Sequence, residues 1–176
     1  MKIKDVRLLG LIGSIFLLNA CSSGGGDIPT PAPTPPEPTP VVKKIPISLN
    51  CGVSSRVTDS NYETGDKVGL YVVNYEGGSA GTLQVSGNDA SNVAFSYDGS
   101  KWASSTTLYW KDDQTKADFY VYYPYGSVTS VTEHPFSVKK DQSSASSYQA
   151  SEFLYKKKKN IAPVESAVNI TTYHLM

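Results

Sequence analysis

From Ile45 onward the chain repeats one pattern: short runs in which apolar side chains alternate with polar ones or crowd together, each closed off by Gly, Asn, Asp or Ser. No run sustains a 3.6-residue period, so the pattern predicts strands rather than helices. Ile45-Pro46-Ile47-Ser48-Leu49-Asn50-Cys51 puts Ile45, Ile47, Leu49 and Cys51 on one face of a first strand, with Pro46 suited to an edge or a strand start. Lys67 to Asn74 predicts a second strand with Val68, Leu70 and Val72 on one face and Tyr71 and Val73 on the other, so that both faces can be covered. Asn92 to Ser96, Thr106 to Trp110, Ala117 to Tyr123, Pro135 to Lys139 and Val168 to Tyr173 bring the total to about seven strands. Turn signals fall between them at Gly77-Gly78, Asp98-Gly99 and Pro124-Tyr125-Gly126, and Ser143 to Phe153 carries a faint signal for a short helix or turn. The expected fold is all-β, an antiparallel sandwich of two sheets. The apolar stretch from Val168 reaches the last residue, Met176, with no turn behind it, and the expectation is of a domain cut short.

The amino end follows different rules. Lys2, Lys4 and Arg7 precede an apolar run from Leu8 to Leu18, the layout of an export signal. As a helix that run would reach about 16 Å, roughly half a bilayer's hydrocarbon core, which is too short for a permanent span. It ends in Leu18-Asn19-Ala20-Cys21, resembling the lipobox at which a lipoprotein signal peptidase cuts before a cysteine that receives a diacylglycerol thioether. Residues 1–20 are therefore expected to be a signal peptide and Cys21 the lipid attachment site, a target for palmitate labelling. Each buried lipid methylene contributes about 0.8 kcal/mol, so two or three acyl chains hold the chain on a membrane. Residues 21–44 read as a tether: Ser22 to Gly26 is flexible, and Asp27 to Pro40, with seven of the eleven prolines, is a semi-rigid polyproline II spacer. The folded part is then 45–176, a normal size for one domain.

Charge narrows the partners. Basic and acidic residues number 16 each, and removing residues 1–20 leaves 13 against 15, a net charge of −2 without the basic clustering that nucleic acid demands. With Cys21 lipidated, Cys51 has no partner for an internal disulfide and is expected to be a small buried hydrophobe. Twelve tyrosines against two methionines also favour sheet.

Candidate chemistry is sparse. His134 and His174 have no cysteine, acid or second histidine at ligand spacing, and a zinc site wants three or four ligands. Adjacent Asp112 and Asp113 read as a solvated turn. No EF-hand loop, nucleotide-binding glycine motif or nucleophile elbow is present, so neither a catalytic role nor a cofactor is expected. Lys156 to Lys159 reads as a solvated loop rather than a phosphate or membrane site. Trp102, Trp110, Phe119, Tyr120, Tyr122, Tyr123 and Tyr125 read as core and cross-strand pairs, with a sugar-stacking platform as the competing reading.

Several phrases together resemble the fimbrillin family, the lipoprotein subunits of type V pili. They are Ser55-Arg56, Tyr62-Glu63-Thr64-Gly65-Asp66-Lys67-Val68-Gly69-Leu70-Tyr71, Leu108-Tyr109-Trp110, Asp118 to Tyr125, Asp141-Gln142, Ser151 to Tyr155 and Tyr173-His174-Leu175. The resemblance implies two tandem transthyretin-like Greek-key β-sandwich domains, of which residues 45–176 would hold most of the first and none of the second. It also implies other pilus subunits as partners and an outer-membrane or fimbrial location. In polymerising members an arginine-specific protease removes the lipidated segment with the first strand, and a neighbour's strand fills the groove; anchor members keep their lipid uncut. Arg56 is the only arginine beyond the signal and follows the first strand, where such a cut would release Ile45, Ile47, Leu49 and Cys51. The alternative expectation is a glycan-binding surface lipoprotein that uses exposed aromatic residues.

Overall fold

The computed structural model describes residues 43–54, 61–134, 136–144, 147–148 and 151–175. Its strands are β1 (Leu49–Val53), β2 (Lys67–Glu76), β3 (Ser79–Ala80), β4 (Ala90–Tyr97), β5 (Trp102–Ala103), β6 (Ala117–Tyr123), β7 (Leu154–Ile161) and β8 (Val168–His174). They join in the order β1-β8-β7-β6-β2-β4-β5, with β3 paired to β2. The described residues thus form eight strands, one more than the pattern along the chain suggests, in a single sheet with seven along one path and β3 beside it, rather than two separate sheets. The ends of that path approach each other, because the Trp102 indole donates to the Cys51 carbonyl at 3.2 Å and the Ile47 amide donates to the Leu108 carbonyl at 2.8 Å. The sheet comes close to closing into a barrel.

The apolar runs of β2 and β6 lie at the centre of this path, paired from Gly69 opposite Tyr122 to Asn74 opposite Ala117. Strands buried on both faces read as continuous hydrophobic runs, and all seven residues of β6 are buried. Val68, Leu70 and Val72 point inward with Phe119, Val121, Phe95, Leu154 and Ile170, while Tyr71 and Val73 point outward with Tyr120 and Tyr122, as their alternation predicts. Gly69 is required by this packing: a Cβ there would lie 2.1 Å from the Tyr122 ring, which crosses β2 at that point. The Tyr122 hydroxyl donates toward Asn92 Oδ1 at 2.6 Å and the Gly126 carbonyl at 2.8 Å, tying the loop after β6 to β4.

The strands expected at Asn92 to Ser96, Ala117 to Tyr123 and Val168 to Tyr173 are present as β4, β6 and β8. The turn at Gly77-Gly78 has both glycines at positive φ, 58° and 96°, and Asp98 accepts the amides of Ser100 and Lys101 to shape the next turn. Four expectations need correction. Thr106 to Trp110 is not a regular strand, because only Tyr109 makes a bridge, to Pro46. Residues 136–139 are irregular, since β6 already has β2 and β7 on its two sides; Pro135 is outside the described residues. The sheet is not wholly antiparallel, because β1 runs parallel to β8. Lastly, Lys156 to Lys159 forms the middle of β7 instead of a loop.

The lysines tolerate a strand because their long stems lie on the sheet while their charges find partners. Lys157 sits opposite Tyr120, with its ammonium 4.5 Å from that ring and 3.2 Å from the buried Asp118 carboxylate. Burial acts to lower the Lys157 pKa, but Tyr120 and Asp118 outweigh it and the net shift is upward. Lys156 lies over Tyr173 at 4.6 Å, and Lys158 donates to the Asn169 carbonyl at 2.9 Å. Between Ser143 and Phe153 the Tyr148 amide donates to the Ser144 carbonyl, a helical hydrogen bond where only a faint signal was read.

Candidate functional site

The segment running from Ile45 through β1 is gripped from both sides. On one side, the Trp110 amide donates to the Ile45 carbonyl at 2.9 Å and the Ile47 amide to Leu108. On the other, the Val168 amide donates to the Ser48 carbonyl and the Ser54 amide to the Thr172 carbonyl, each at 2.8 Å, and the parallel register runs from Leu49 opposite Val168 to Val53 opposite Thr172. Pro46 is harmless here: its missing N–H falls before the β8 ladder begins at Ser48. Ile45, Ile47, Leu49 and Cys51 all face the interior, between 4% and 7% exposed, whereas residues 46, 48, 50 and 52 are exposed. The alternation read from the chain is therefore the observed one, but the regular strand is Leu49–Val53 rather than Ile45 to Cys51, and Ile45 and Ile47 lie in the stretch ahead of it that makes the isolated Pro46 bridge to Tyr109. At about 1.5–3 kcal/mol for each large apolar side chain buried, this one segment covers a substantial part of the core. Burial also pushes the Cys51 thiol from 9.0 up to about 12.

The carboxyl end of the segment has a clasp that the sequence did not announce. Thr172, fully buried, donates its hydroxyl to the Gly52 carbonyl at 3.1 Å and so accepts from the Tyr62 hydroxyl at 2.9 Å. The Tyr62 ring packs edge-on against Trp102 at 4.8 Å and Tyr123 at 5.6 Å. A lone buried threonine among alternating apolar residues of β8 was the available signal.

The remaining candidates disperse. Trp102 and Trp110 are 7% and 4% exposed and belong to the inner core, which removes the two indoles from any sugar-stacking platform. Phe119, Tyr120, Tyr122 and Tyr123 are buried too, and Tyr125 alone of that set is exposed. Asp112 caps the turn before β6 by accepting from the Thr115 hydroxyl and from the Thr115 and Gln114 amides, and these bonds, the hydroxyl first, hold its carboxyl below the usual range. His134 stacks on Phe153 at 4.9 Å, where burial lowers its pKa, and His174 pairs with Leu154 across the β7 and β8 ladder. Outside the sheet, Tyr71, Tyr120, Tyr122, His134 and Phe153 help line an apolar cleft of about 80 Å3 that sequence reasoning missed. Cys21 and Arg56 lie outside the described residues.

An all-β barrel-like sheet whose amino-terminal segment completes the core defines the class of protein in structural terms. The chain belongs to the fimbrillin-like family, whose profile matches residues 55–176. It is 27% identical over 126 residues to a Bacteroides uniformis protein called "Putative fimbrium subunit Fim1C", covering 69% of this chain and 37% of that protein. The chain therefore spans well under half the length of that relative. Among solved structures it is similar to a fimbrial protein from Bacteroides ovatus, with a TM-score of 0.51, 19% identity and coverage of 75% of this chain and 28% of the other. A "putative cell adhesion protein" from the same species gives a TM-score of 0.52 at 17% identity, covering 77% and 53%. At these identities the likeness speaks to the fold.

Proposed function

We propose that this chain is a lipid-anchored surface subunit of a fimbrium, structural or anchoring, that joins its neighbours by exchange of the first strand. The carrying observation is the segment Ile45 to Val53: it supplies four alternating core residues and is hydrogen-bonded along both edges. Arg56 follows three residues after Val53, and the family match starts at residue 55, just beyond the strand. Cleavage after Arg56 would free the segment, and the vacated groove would accept an extended strand from another subunit by β-augmentation. In this reading the fold is the first transthyretin-like Greek-key domain of the family, and the lipid on Cys21 with the 21–44 tether holds the uncut form at the outer membrane. The subunit catalyses nothing and takes no cofactor.

Mass spectrometry of the protein from its native envelope tests this. A first residue of diacylated Cys21 marks the anchored form, and a new terminus at Val57 marks the processed one. An unmodified chain that begins elsewhere overturns both parts.

A further inference from the structure

The groove occupied by the first strand is uneven along its length. At its amino end the neighbours of the strand are main-chain groups of residues 108–110 and β8. At its carboxyl end, where the β8 ladder continues, two side chains act as donors as well: the Trp102 indole to the Cys51 carbonyl, and the Thr172 hydroxyl to the Gly52 carbonyl. Consecutive carbonyls of a strand point to opposite edges, so these donors hold one rung from both sides.

We infer that Trp102, backed by Tyr62, and Thr172 form a register clasp that admits only a small side chain at the fourth inward position of whichever strand fills the groove. The inference rests on the exchange reading above and specifies the partner segment: three large aliphatic residues at alternate positions, then a small one. A one-residue slip would turn the apolar face outward and is already excluded by burial. A two-residue slip keeps the face and still offers a carbonyl to each donor, so hydrogen bonding alone does not prevent it. Side-chain size does. The slip would bring Leu49 to the place of Cys51, where Trp102 is itself 7% exposed and packed between Tyr62 at 4.8 Å and Tyr97 at 5.1 Å. Enlarging a side chain in a close-packed core forces neighbours off their rotamers. Tyr62, pinned by its hydroxyl bond to Thr172, and Trp102, packed against it, have little room to yield.

The test uses the full mature chain with Cys21→Ser and a protease site placed within residues 55–60, nicked so that both fragments stay together. Fluorescent peptides of residues 43–54 are then offered in excess, with the native sequence, Cys51→Ala or Cys51→Leu, and bound label is read after gel filtration. The native and Cys51→Ala peptides should enter within about threefold of each other, and Cys51→Leu should enter at least tenfold less. In the Trp102→Phe protein the penalty on Cys51→Leu should shrink, which a general loss of stability would not produce. Entry of Cys51→Leu equal to the native peptide overturns the clasp and leaves strand exchange intact. Entry of no peptide overturns both.

Discussion

Leu49 offers the sharpest measure of what the first strand contributes. It is 4% exposed, stands opposite Val168 in the parallel ladder, and lies among the inner core residues. Truncating a buried leucine to alanine removes its transfer energy and leaves a cavity, together about 2–5 kcal/mol. Hydrogen bonds on both edges keep β1 from sliding inward to refill the space. We expect Leu49→Ala to cost about 3 kcal/mol, against a total of about 5–15 kcal/mol for a domain of this kind. For a domain this size the melting temperature should fall by roughly 10 °C. The measurement is urea unfolding of the soluble Cys21→Ser chain followed by tryptophan fluorescence, with the slope m checked for constancy. Ser48→Ala, the exposed neighbour, serves as the control and should stay within about 0.5 kcal/mol. If the two variants are equally stable, β1 does not hold the core, and the energetic basis for exchanging it is gone.

Two further outcomes follow from the same geometry. Lys157→Met should destabilise by about 1–3 kcal/mol, because it leaves the buried Asp118 carboxylate without its cation and with neutral donors such as the Asn160 amide, discounted for the water that still reaches the lysine; exposed Lys159→Met should be near neutral, as paired urea titrations will show. The rise of the Cys51 thiol from 9.0 to about 12 lowers its thiolate fraction roughly a thousandfold at neutral pH, so alkylation of the Cys21→Ser chain at pH 8 should be slow when native and fast in denaturant. Because the depressed acidity belongs to the folded state, native labelling should keep accelerating as pH rises past 9. Native labelling as fast as denatured labelling would place Cys51 outside the core.

The elements legible in the sequence were those whose period and composition agree. β2 and β6 announce themselves as unbroken apolar runs, and Ile45 to Cys51 as clean alternation with a small residue at its end. β7 did not, because four lysines in a row look like water-facing chain until Asp118, Tyr120, Tyr173 and the Asn169 carbonyl are seen to receive three of them. β5 is only two residues long, and its role comes from one indole reaching Cys51, a tertiary contact with no local signature. The parallel pairing of β1 with β8 was equally hidden, since direction is set by the whole path of the sheet. Thr172 looked like an ordinary strand residue and became visible as a clasp only when Gly52 and Tyr62 were brought to it.

The parallel ladder also constrains timing. The side-chain amides of Asn50 and Asn169 meet at 2.8 Å across 119 positions of chain. Contacts between distant positions reward the chain only after a long loop has closed, and they form late. A polypeptide made from its amino end thus carries Leu49 to Val53 without its ladder partner until Val168 and its successors emerge. During that interval the segment is open to any enzyme that works on the front of the chain, and pairing with β8 ends its exposure.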